Sequence, residues 1–409
     1  MIVCDKLLMS SLAHKHLRIL FISAHCPHGP IYGSQLRTLH LARILKTYGD
    51  VGMILIPFGK IDDGALIKTC AEFNLLGVFE FRCPSSGSFR SWLNRELNPY
   101  CGETEGNRPS GEVASEINRI VAEYDMVWFQ GVAIPNCLGR SYWPKAVLDI
   151  DDVPSQFFAA RAREASSWIA KVRMIRKSFL WKRREKVLLK RFGILGVCSE
   201  VDRTYLGGDS RIHPIPNGFI SPNVSMVRAL SDPPRIGFIG TLGYAPNVEG
   251  LQWFIREVWP LIKRTHPLAR LRLIGAGTDQ GIAEDGADTD GLGFVEDSAA
   301  EIGTWSMTVV PILVGGGTRI KIAEAFSCRC PVVSTSLGAY GYVVTSGREL
   351  MLADTPDDFA AACAMLIRDP SYGEAMANHA RDLFDRELNW DAIAPRVGKA
   401  VEACLMLNS

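Results

Sequence analysis

Short apolar runs alternate with amphipathic segments through the first half of the chain. The apolar runs that predict buried strands are 17–24, 51–56, 126–129, 146–150 and 194–198. Between the first two runs, the leucines of 35–48 recur on one helical face, and a second helical pattern covers 113–122. Residues 60–110 are poorly patterned around a short strand at 77–81, and we expect an irregular excursion there. The repeated order of strand and helix predicts a parallel sheet.

A second series of the same kind follows 219–234, a polar, proline-rich stretch that is the best domain boundary in the chain. Its predicted strands are 235–240, 271–274, 291–294, 306–312 and 331–335. Its predicted helices are 247–265, capped by Asn247 and bent or broken at Pro260, and 298–302, 359–367, 373–384 and 390–406. Two such series predict an α/β protein of two doubly wound parallel-sheet domains, with a ligand in the cleft between them.

The strongest ligand-binding pattern of the chain is a glycine turn. An apolar run ends in Gly315–Gly317, and Thr318 stands where a helix N-cap is expected. Arg319 and Lys321 follow in the first helical turn, where cations are unfavourable unless an anion offsets them. Bare glycine backbone at a helix N-terminus suits an anion such as a diphosphate, and Glu324 lies one turn later. An ordinary βα turn with surface charges is the alternative interpretation.

Two further groups of polar residues follow strands of the first series. Gly33 and Arg37 lie where they could meet an anion across the cleft, although a simple turn with a surface arginine fits the same pattern. Asp149, Asp151 and Asp152 end a strand on the ligand side of the sheet. The DxD spelled by Asp149 and Asp151 is also a metal-binding pattern, but so short a match arises by chance. We therefore expect no metal, and we interpret Asp151 or Asp152 as a polar group facing the cleft.

The segment 161–191 is the most strongly charged part of the chain. It holds 12 Lys or Arg against Glu164 and Glu185, so it carries +10 while the whole chain carries +1. Apolar residues recur within it at three-to-four spacing, from Trp168 to Leu188, which predicts a basic amphipathic helix or helix pair. Attraction to an anionic membrane surface or to a lipid-phosphate acceptor is one interpretation. A solvated charged face above a core stripe is the other.

Composition narrows the class of protein. The chain has 409 residues, 47% hydrophobic and 22% charged, as expected of a globular protein of two or three domains. A net charge of +1 provides no overall field for nucleic acid. The 11 cysteines are scattered without a CxxC pair, which favours free thiols and a cytoplasmic location. We expect neither a signal peptide nor a membrane span, because no run reaches the roughly 18 apolar residues that a span needs.

Taken together, these motifs resemble a family-4 (group 1) retaining glycosyltransferase of the GT-B fold, in its GGGTRIK-bearing branch. The resemblance covers nearly the whole chain. Its strongest blocks are LIGAG at 273–277 and the glycine-turn stretch at 309–341. The other blocks are Gly33 with Arg37, LDIDDVPS at 148–155, CSEVD at 198–202, IPNG at 215–218 and FIGTLGYAPNVEGLQWF at 238–254.

The resemblance implies transfer of a sugar from a nucleoside-diphosphate sugar to a glycan or lipid-linked acceptor, in cell-envelope polysaccharide synthesis. Residues 1–220 would bind the acceptor, with 390–409 packing back on them, and 234–389 would bind the donor. The leaving phosphate would help to deprotonate the acceptor, so no metal, cofactor or protein nucleophile is required. The expected location is the cytoplasm, at the inner face of the membrane.

The implied catalytic residues are Arg319 and Lys321, which take the diphosphate, and Asp151 and Asp152, which meet the sugar. Glu324 matches the later member of the family's paired glutamates, which binds the donor ribose. The remaining implied donor-binding residues are Gly33, Arg37, Gly240, Thr241, Asn247, Gly275, Gly277, Phe294, Val295, Gly316, Gly317 and Thr318.

The chain departs from the family pattern at two places. Gly316 replaces the earlier glutamate of the pair, which weakens any inference about the sugar 3- and 4-hydroxyls. The Arg and Lys that usually follow the first strand of the second domain are missing after Gly240. Two other classes therefore stay open: a sugar-nucleotide 2-epimerase and a degenerate nucleotide-sugar-binding protein. None of the eight histidines lies in the glycine-turn stretch, which disfavours the epimerase. The charged residues of that stretch disfavour the degenerate protein.

Overall fold

The computed structural model describes residues 17–29, 33–57, 59–79, 89–100, 111–165, 167–222, 228–281, 286 and 288–407. These residues divide into two compact units. The first is drawn from Met1–Asp151, Phe179–Ile215 and Ala394–Ser409, and the second from Asp152–Ser178 and Pro216–Ile393. This division differs from the contiguous domains predicted above in placing Asp152–Ser178 with the second unit.

The first unit is built on a parallel sheet. Its described strands are β1 (Leu17–Ser23), β2 (Gly49–Leu55), β3 (Asn74–Val78), β4 (Met126–Gln130), β5 (Trp143–Ile150), β6 (Phe192–Val197) and β7 (Ile212–Pro214). They pair in the order β3-β2-β1-β4-β5-β6-β7, every pair parallel. The central strands β1, β4 and β6 are buried almost throughout, as expected of a sheet covered on both faces.

The helices that accompany this part of the chain are mostly short. They are α1 (Gly33–Lys46), α2 (Asp63–Glu72), α3 (Phe89–Leu97), α4 (Gly111–Val121), α5 (Ala133–Cys137), α6 (Pro154–Arg163), α7 (Trp168–Glu185), α8 (Leu188–Arg191) and α9 (Glu200–Tyr205). No helix of the described residues is both long enough and apolar enough to cross a bilayer.

The second unit repeats the plan. Its strands are β8 (Arg235–Ile239), β9 (Arg270–Ile274), β10 (Thr289–Gly291), β11 (Met307–Val310), β12 (Val332–Ser334) and β13 (Met351–Leu352). They pair in parallel in the order β10-β9-β8-β11-β12-β13. Its helices are α10 (Ala245–Trp253), α11 (Trp259–Thr265), α12 (Ser298–Ile302), α13 (Ile320–Ser327), α14 (Pro356–Arg368) and α15 (Pro370–Leu383). The last helix, α16 (Trp390–Met406), begins in the second unit, and its residues from Ala394 onward belong to the first. Two π-helical turns, Phe254–Val258 and Phe384–Leu388, precede α11 and α16.

Both faces of the second sheet carry a buried apolar core. Phe238 and Leu273 pack on one face with residues of α10, α11 and α14. Ile239 and Ile274, the next residues along the same strands, pack on the other face with residues of α13 and α15. Because successive strand side chains point to opposite faces, helices are needed on both sides. The predicted pair of doubly wound parallel-sheet domains is therefore confirmed.

The structure corrects the expected irregular excursion over 60–110, which contains the helices α2 and α3. Asp62 caps α2 by accepting from the backbone N–H of Ala65 at 3.0 Å, a start signal that the hydrophobic pattern alone does not reveal. The strand expected at 77–81 is Asn74–Val78, and its last predicted positions lie outside the described residues.

Several predicted boundaries were also wrong. The N-cap residue is Arg319 rather than Thr318 for α13, and Tyr244 rather than Asn247 for α10. The strand predicted at 291–294 is Thr289–Gly291. The basic segment contains the whole of α7 and α8, in keeping with the predicted helix pair, and the last three residues of α6. The break near Pro260 is confirmed by the π-helical turn that precedes α11.

A buried ion pair ties α1 to the end of β5 in the first unit. Arg37 donates from Nε to Asp149 Oδ2 at 2.8 Å and from Nη2 to Oδ1 at 2.6 Å, and both side chains are fully buried. A bidentate pair of this kind fixes the rotation of α1 over the sheet. Removing one partner leaves the other as an uncompensated buried charge.

We expect Arg37→Ala to destabilise the first unit by about 3–5 kcal/mol, because Asp149 stays buried without its partner. The matched control is Arg43→Ala on the same helix. Arg43 donates to Glu72 at 2.6 Å but is about half exposed, so its loss should cost less than about 1 kcal/mol. Urea unfolding followed by circular dichroism and fluorescence measures both variants. Equal losses would contradict the structural weight given to the Arg37–Asp149 pair.

Candidate functional site

The glycine turn of the second unit follows β11 and leads into α13. Gly315 and Gly317 have φ angles of 118° and 70°, which side-chain-bearing residues rarely adopt. A Cβ at Gly315 would also lie 2.9 Å from Nη2 of Arg319. The turn therefore depends on glycine twice: for its backbone conformation and for the approach of the Arg319 guanidinium.

Arg319 is the N-cap residue of α13, and its guanidinium folds back under the turn. The side chain is 9% exposed, and Nη1 donates to the carbonyl oxygens of Gly316 and, at 3.1 Å, of Gly317. Within the described residues, Nε and Nη2 are buried and have no hydrogen-bond partner. A buried donor on a charged group that lacks its partner costs more than about 1–3 kcal/mol. Two such nitrogens mark a place where an anion would be stabilised.

Lys321 lies two residues further on and is half-buried. Its Nζ donates to Asn247 Oδ1 at 2.8 Å and lies 4.3 Å from the ring centroid of Phe238. Asn247 in turn donates to the backbone carbonyl of Thr241 at 2.9 Å, so Asn247 positions the amine instead of capping a helix. Desolvation of the amine and the charge of Arg319, opposed by the charge of Glu324, together lower the pKa of Lys321 to about 7.

Glu324 occupies the second turn of α13. It is buried and accepts a hydrogen bond from Ser298 Oγ at 2.8 Å. Burial outweighs the Ser298 hydrogen bond and the charge of Lys321, which act in the opposite direction, and the pKa of Glu324 is raised to about 7. Glu324 and Lys321 therefore titrate in the same range, and each favours the charged form of the other.

Glycine residues follow the ends of β8 and β9, and Gly240 lies close to the Asn247 side chain. A Cβ at Gly240 would lie 2.7 Å from Asn247 Nδ2 and 3.0 Å from Lys321 Nζ, and one at Gly275 would lie 2.4 Å from the carbonyl oxygen of Gly240. Gly277 adopts a φ of 86° in the same loop. Gly240 thus lies beside the Lys321 amine, and neither Gly240 nor Gly275 has room for a side chain.

The loop after β10 carries the two residues predicted to face a nucleobase. The backbone N–H of Gly275 donates to the carbonyl of Gly293 at 2.8 Å, which holds this loop beside the end of β9. Phe294 is 64% exposed, whereas Val295 packs against the core of the second unit. An exposed aromatic ring at this edge of the sheet offers a surface on which a planar group can stack.

Asp152 lies beside the glycine turn. A Cβ at Gly316 would lie 3.8 Å from Asp152 Oδ1 and 3.6 Å from the Cβ of Phe157. Asp152 and α6 therefore occupy the neighbourhood of the position at which the family pattern places a glutamate. Thr318 is held from another direction, since Asn217 Nδ2 donates to its hydroxyl oxygen at 3.1 Å.

Three of the predicted site residues belong to the first unit. Arg37 is a correction: its guanidinium is buried against Asp149, so it holds the fold and does not face a ligand. Asp151 accepts from Cys198 Sγ at 3.2 Å, at the neighbouring ends of β5 and β6. Gly33 is the first residue of α1. Because Asp149 is taken by Arg37, the DxD pattern does not form a pair of available carboxylates.

Three residues of the site escaped prediction. Ser298 holds Glu324, Asn217 holds Thr318, and the Tyr342 hydroxyl donates to the carbonyl of Arg319 at 2.8 Å. Ser298 lies 26 positions from its partner, and Asn217 lies 101 positions away. No local pattern links such pairs. In the part of the chain that the structure describes, no group of three or more His, Cys, Asp or Glu side chains is arranged to hold a metal.

Part of the chain that holds this site matches a known family. Residues 233–369 match the family described as "Glycosyl transferases group 1". The matched range lies within the second unit. A protein of the Klebsiella pneumoniae cps region, described as an uncharacterized 44.6 kDa protein, is 22% identical over 363 residues, which are 84% of this chain and 89% of the relative.

Solved structures share the whole fold. HepE of Anabaena, in complex with UDP and glucose, superposes with a TM-score of 0.62 at 16% identity, over 95% of this chain and 100% of that one. Sucrose-phosphate synthase from Thermosynechococcus elongatus superposes with a TM-score of 0.65 at 15% identity, over 96% of this chain and 100% of that one. The two parallel-sheet Rossmann-like domains therefore have the GT-B fold.

We expect the ammonium of Lys321 to titrate near pH 7 in the ligand-free protein, because burial destabilises its charged form. Glu324→Gln should lower this midpoint, since it removes the negative charge that favours the ammonium. The measurement is NMR of protein labelled with carbon-13 at the lysine ε carbon, with Lys321→Arg to assign the signal. Glu296→Gln, which changes a neighbouring carboxylate outside the pair, is the matched control. A midpoint near 10, as in an exposed lysine, would contradict the expectation.

Proposed function

We propose that this protein is a metal-independent retaining glycosyltransferase of family 4, in the GGGTRIK-bearing branch. It moves a hexosyl group from a nucleoside-diphosphate sugar to a glycan or lipid-linked acceptor. The observation that carries the proposal is the buried Arg319 guanidinium, with two nitrogens that lack partners in the described residues. A diphosphate supplies the anionic oxygens that such donors need. The match to the group 1 family and the fold shared with HepE support the class of donor.

In the proposed reaction, the bond between the sugar C1 and the diphosphate oxygen breaks while C1 bonds to the acceptor oxygen. The acceptor proton passes to the leaving phosphate on the same face of the sugar, so the configuration is retained without a protein nucleophile. Negative charge grows on the diphosphate as it leaves. Arg319, Lys321 and the N-terminal end of α13 stabilise that charge more in the transition state than in the bound donor.

We assign the ribose, the base and the sugar of the donor to other residues of the site. Glu324, held by Ser298, is placed to accept from the ribose hydroxyls, and Phe294 to lie beside the base. Asp152 stands at the turn beside Gly316, where it can accept from sugar hydroxyls that the missing glutamate would otherwise bind. Asp151 is assigned to the acceptor side, because it lies in the first unit.

The proposed setting is cell-envelope polysaccharide synthesis in the cytoplasm, at the inner face of the membrane. The relative encoded in a cps region supports the pathway. The strongly basic segment 161–191 supports a peripheral location, because cations attract anionic lipid headgroups. No resident cofactor takes part; the nucleotide sugar is a substrate.

The first test is isothermal titration of the full chain with UDP, GDP and ADP, each with and without EDTA. We expect micromolar binding of one nucleotide, unchanged by EDTA, because protein cations and not a metal hold the diphosphate. Binding that disappears with EDTA would contradict metal independence. Failure of all three nucleotides to bind would contradict the donor site and favour a degenerate protein.

We expect Arg319→Ala and Lys321→Ala each to weaken binding of the favoured nucleotide by at least about 2 kcal/mol, or about thirtyfold in Kd. Each variant removes a cation that faces the diphosphate in the proposal. Arg264→Ala, which removes an exposed cation of the same unit, is the matched control and should leave Kd within about twofold. Affinity unchanged in both site variants would overturn the diphosphate assignment.

A further inference from the structure

The helix α7 presents a stripe of large apolar side chains to solvent. Trp168 is 75% exposed, Phe179 is 61% exposed, and Val172 and Ile175 are also exposed. At 3.6 residues per turn these four positions fall within about 60° of one another around the helix. Isolated exposed apolar residues are common, but a row along one helical face exposes a continuous patch that favours a partner.

Cations flank this stripe on both sides. Lys171 and Arg176 are exposed and fall to either side of it on the helical surface, and Lys182 is exposed further along. The helix as a whole carries seven Lys or Arg against Glu185. An apolar stripe between rows of cations matches the interface of an anionic bilayer, where acyl chains meet negative headgroups.

The neighbouring helix α3 has the same character. Phe89 is 73% exposed and stacks with the exposed Trp92, with ring centroids 5.6 Å apart, and Leu93 and Leu97 share the exposed face at helical spacing. Arg183 of α7 joins the two helices, because its Nη2 donates to the carbonyl oxygen of Leu97 at 3.0 Å. A second amphipathic helix beside the first enlarges the apolar area available to one partner.

Arginines at the two ends of the basic segment form hydrogen bonds within the protein. Arg161 donates to Glu249 at 2.8 Å, and Arg191 is buried and donates to the carbonyl oxygen of Ser141. Arg163 is exposed, and further exposed cations lie between Lys171 and Lys190. The basic segment therefore combines cations that serve the fold with cations exposed at the surface.

We propose that the exposed faces of α7 and α3 form a docking surface for an anionic lipid bilayer, with the helices lying in the headgroup layer. This surface deepens the peripheral location proposed above but does not use the donor site. Nucleotide binding and bilayer binding can therefore fail separately. Neither helix is long and apolar enough to cross the membrane, as an interfacial mode requires.

The test is flotation of the full chain with vesicles of phosphatidylcholine, alone or mixed with phosphatidylglycerol, at low and high salt. We expect binding to the mixed vesicles alone, weakened by salt. Lys171→Glu with Arg176→Glu should weaken binding by at least about fivefold for each cation removed, and Ile175→Ser with Phe179→Ser should abolish it. Matched controls are Lys68→Glu with Lys399→Glu, and Ile67→Ser with Leu268→Ser, at exposed positions elsewhere.

Nucleotide titration of every variant checks that the second unit stays folded. Equal binding to neutral and mixed vesicles, no binding to either, or α7 variants that bind like the wild type would overturn the proposal. Sedimentation velocity of the same variants tests the alternative that a second copy of the chain binds the apolar stripe. A wild-type dimer that becomes a monomer in the apolar variants would make the stripe an interface between copies of the chain, which also overturns it.

Discussion

A buried cation two residues from a half-buried one is the constraint on which the second unit depends. Arg319 is buried and keeps two nitrogens without partners in the described residues, and Lys321 is half-buried. Burying a charged group is unfavourable because the group loses its hydration and needs a partner in exchange. Asn247, Phe238 and two carbonyls of the glycine turn compensate part of the cost. The ends of β8 and β11 and the glycine loops that follow them surround the two cations and keep them in position.

Cationic side chains have three different roles in this chain, and the roles differ in how far the charged group is buried. Arg37 is buried with a full carboxylate partner and stabilises the first unit. Arg319 is buried with partners for only part of its guanidinium, and we propose that it binds a ligand. Lys171 is exposed beside an apolar stripe, and we propose that its charge attracts a lipid surface. The number of charges along the sequence cannot distinguish these three roles, because each role depends on which groups contact the cation in the folded chain.

Periodic and local features could be predicted from the sequence. The alternation of apolar runs with amphipathic segments was enough for two parallel sheets, and the glycines at 315–317 were enough for a tight turn that leads into α13. Pairings across the chain could not be predicted. Arg37 and Asp149 are 112 positions apart, and as isolated residues both looked like ligand groups. The helix starts were misplaced because serine, threonine or asparagine was taken as the cap, whereas α10 and α13 begin at residues without a side-chain cap.

The bare position at Gly316 has an evolutionary consequence. The cations proposed to hold the diphosphate come from the turn and α13, whereas Asp152, whose carboxylate lies near that bare position, comes from a segment more than 150 residues earlier. In the proposed transferase, binding of the diphosphate and discrimination among sugars would thus be encoded in separate stretches of the gene. Drift in the segment that begins at Asp152 can alter which sugar is accepted while leaving the anion-binding turn intact, a route by which one scaffold diversifies into transferases with different donors.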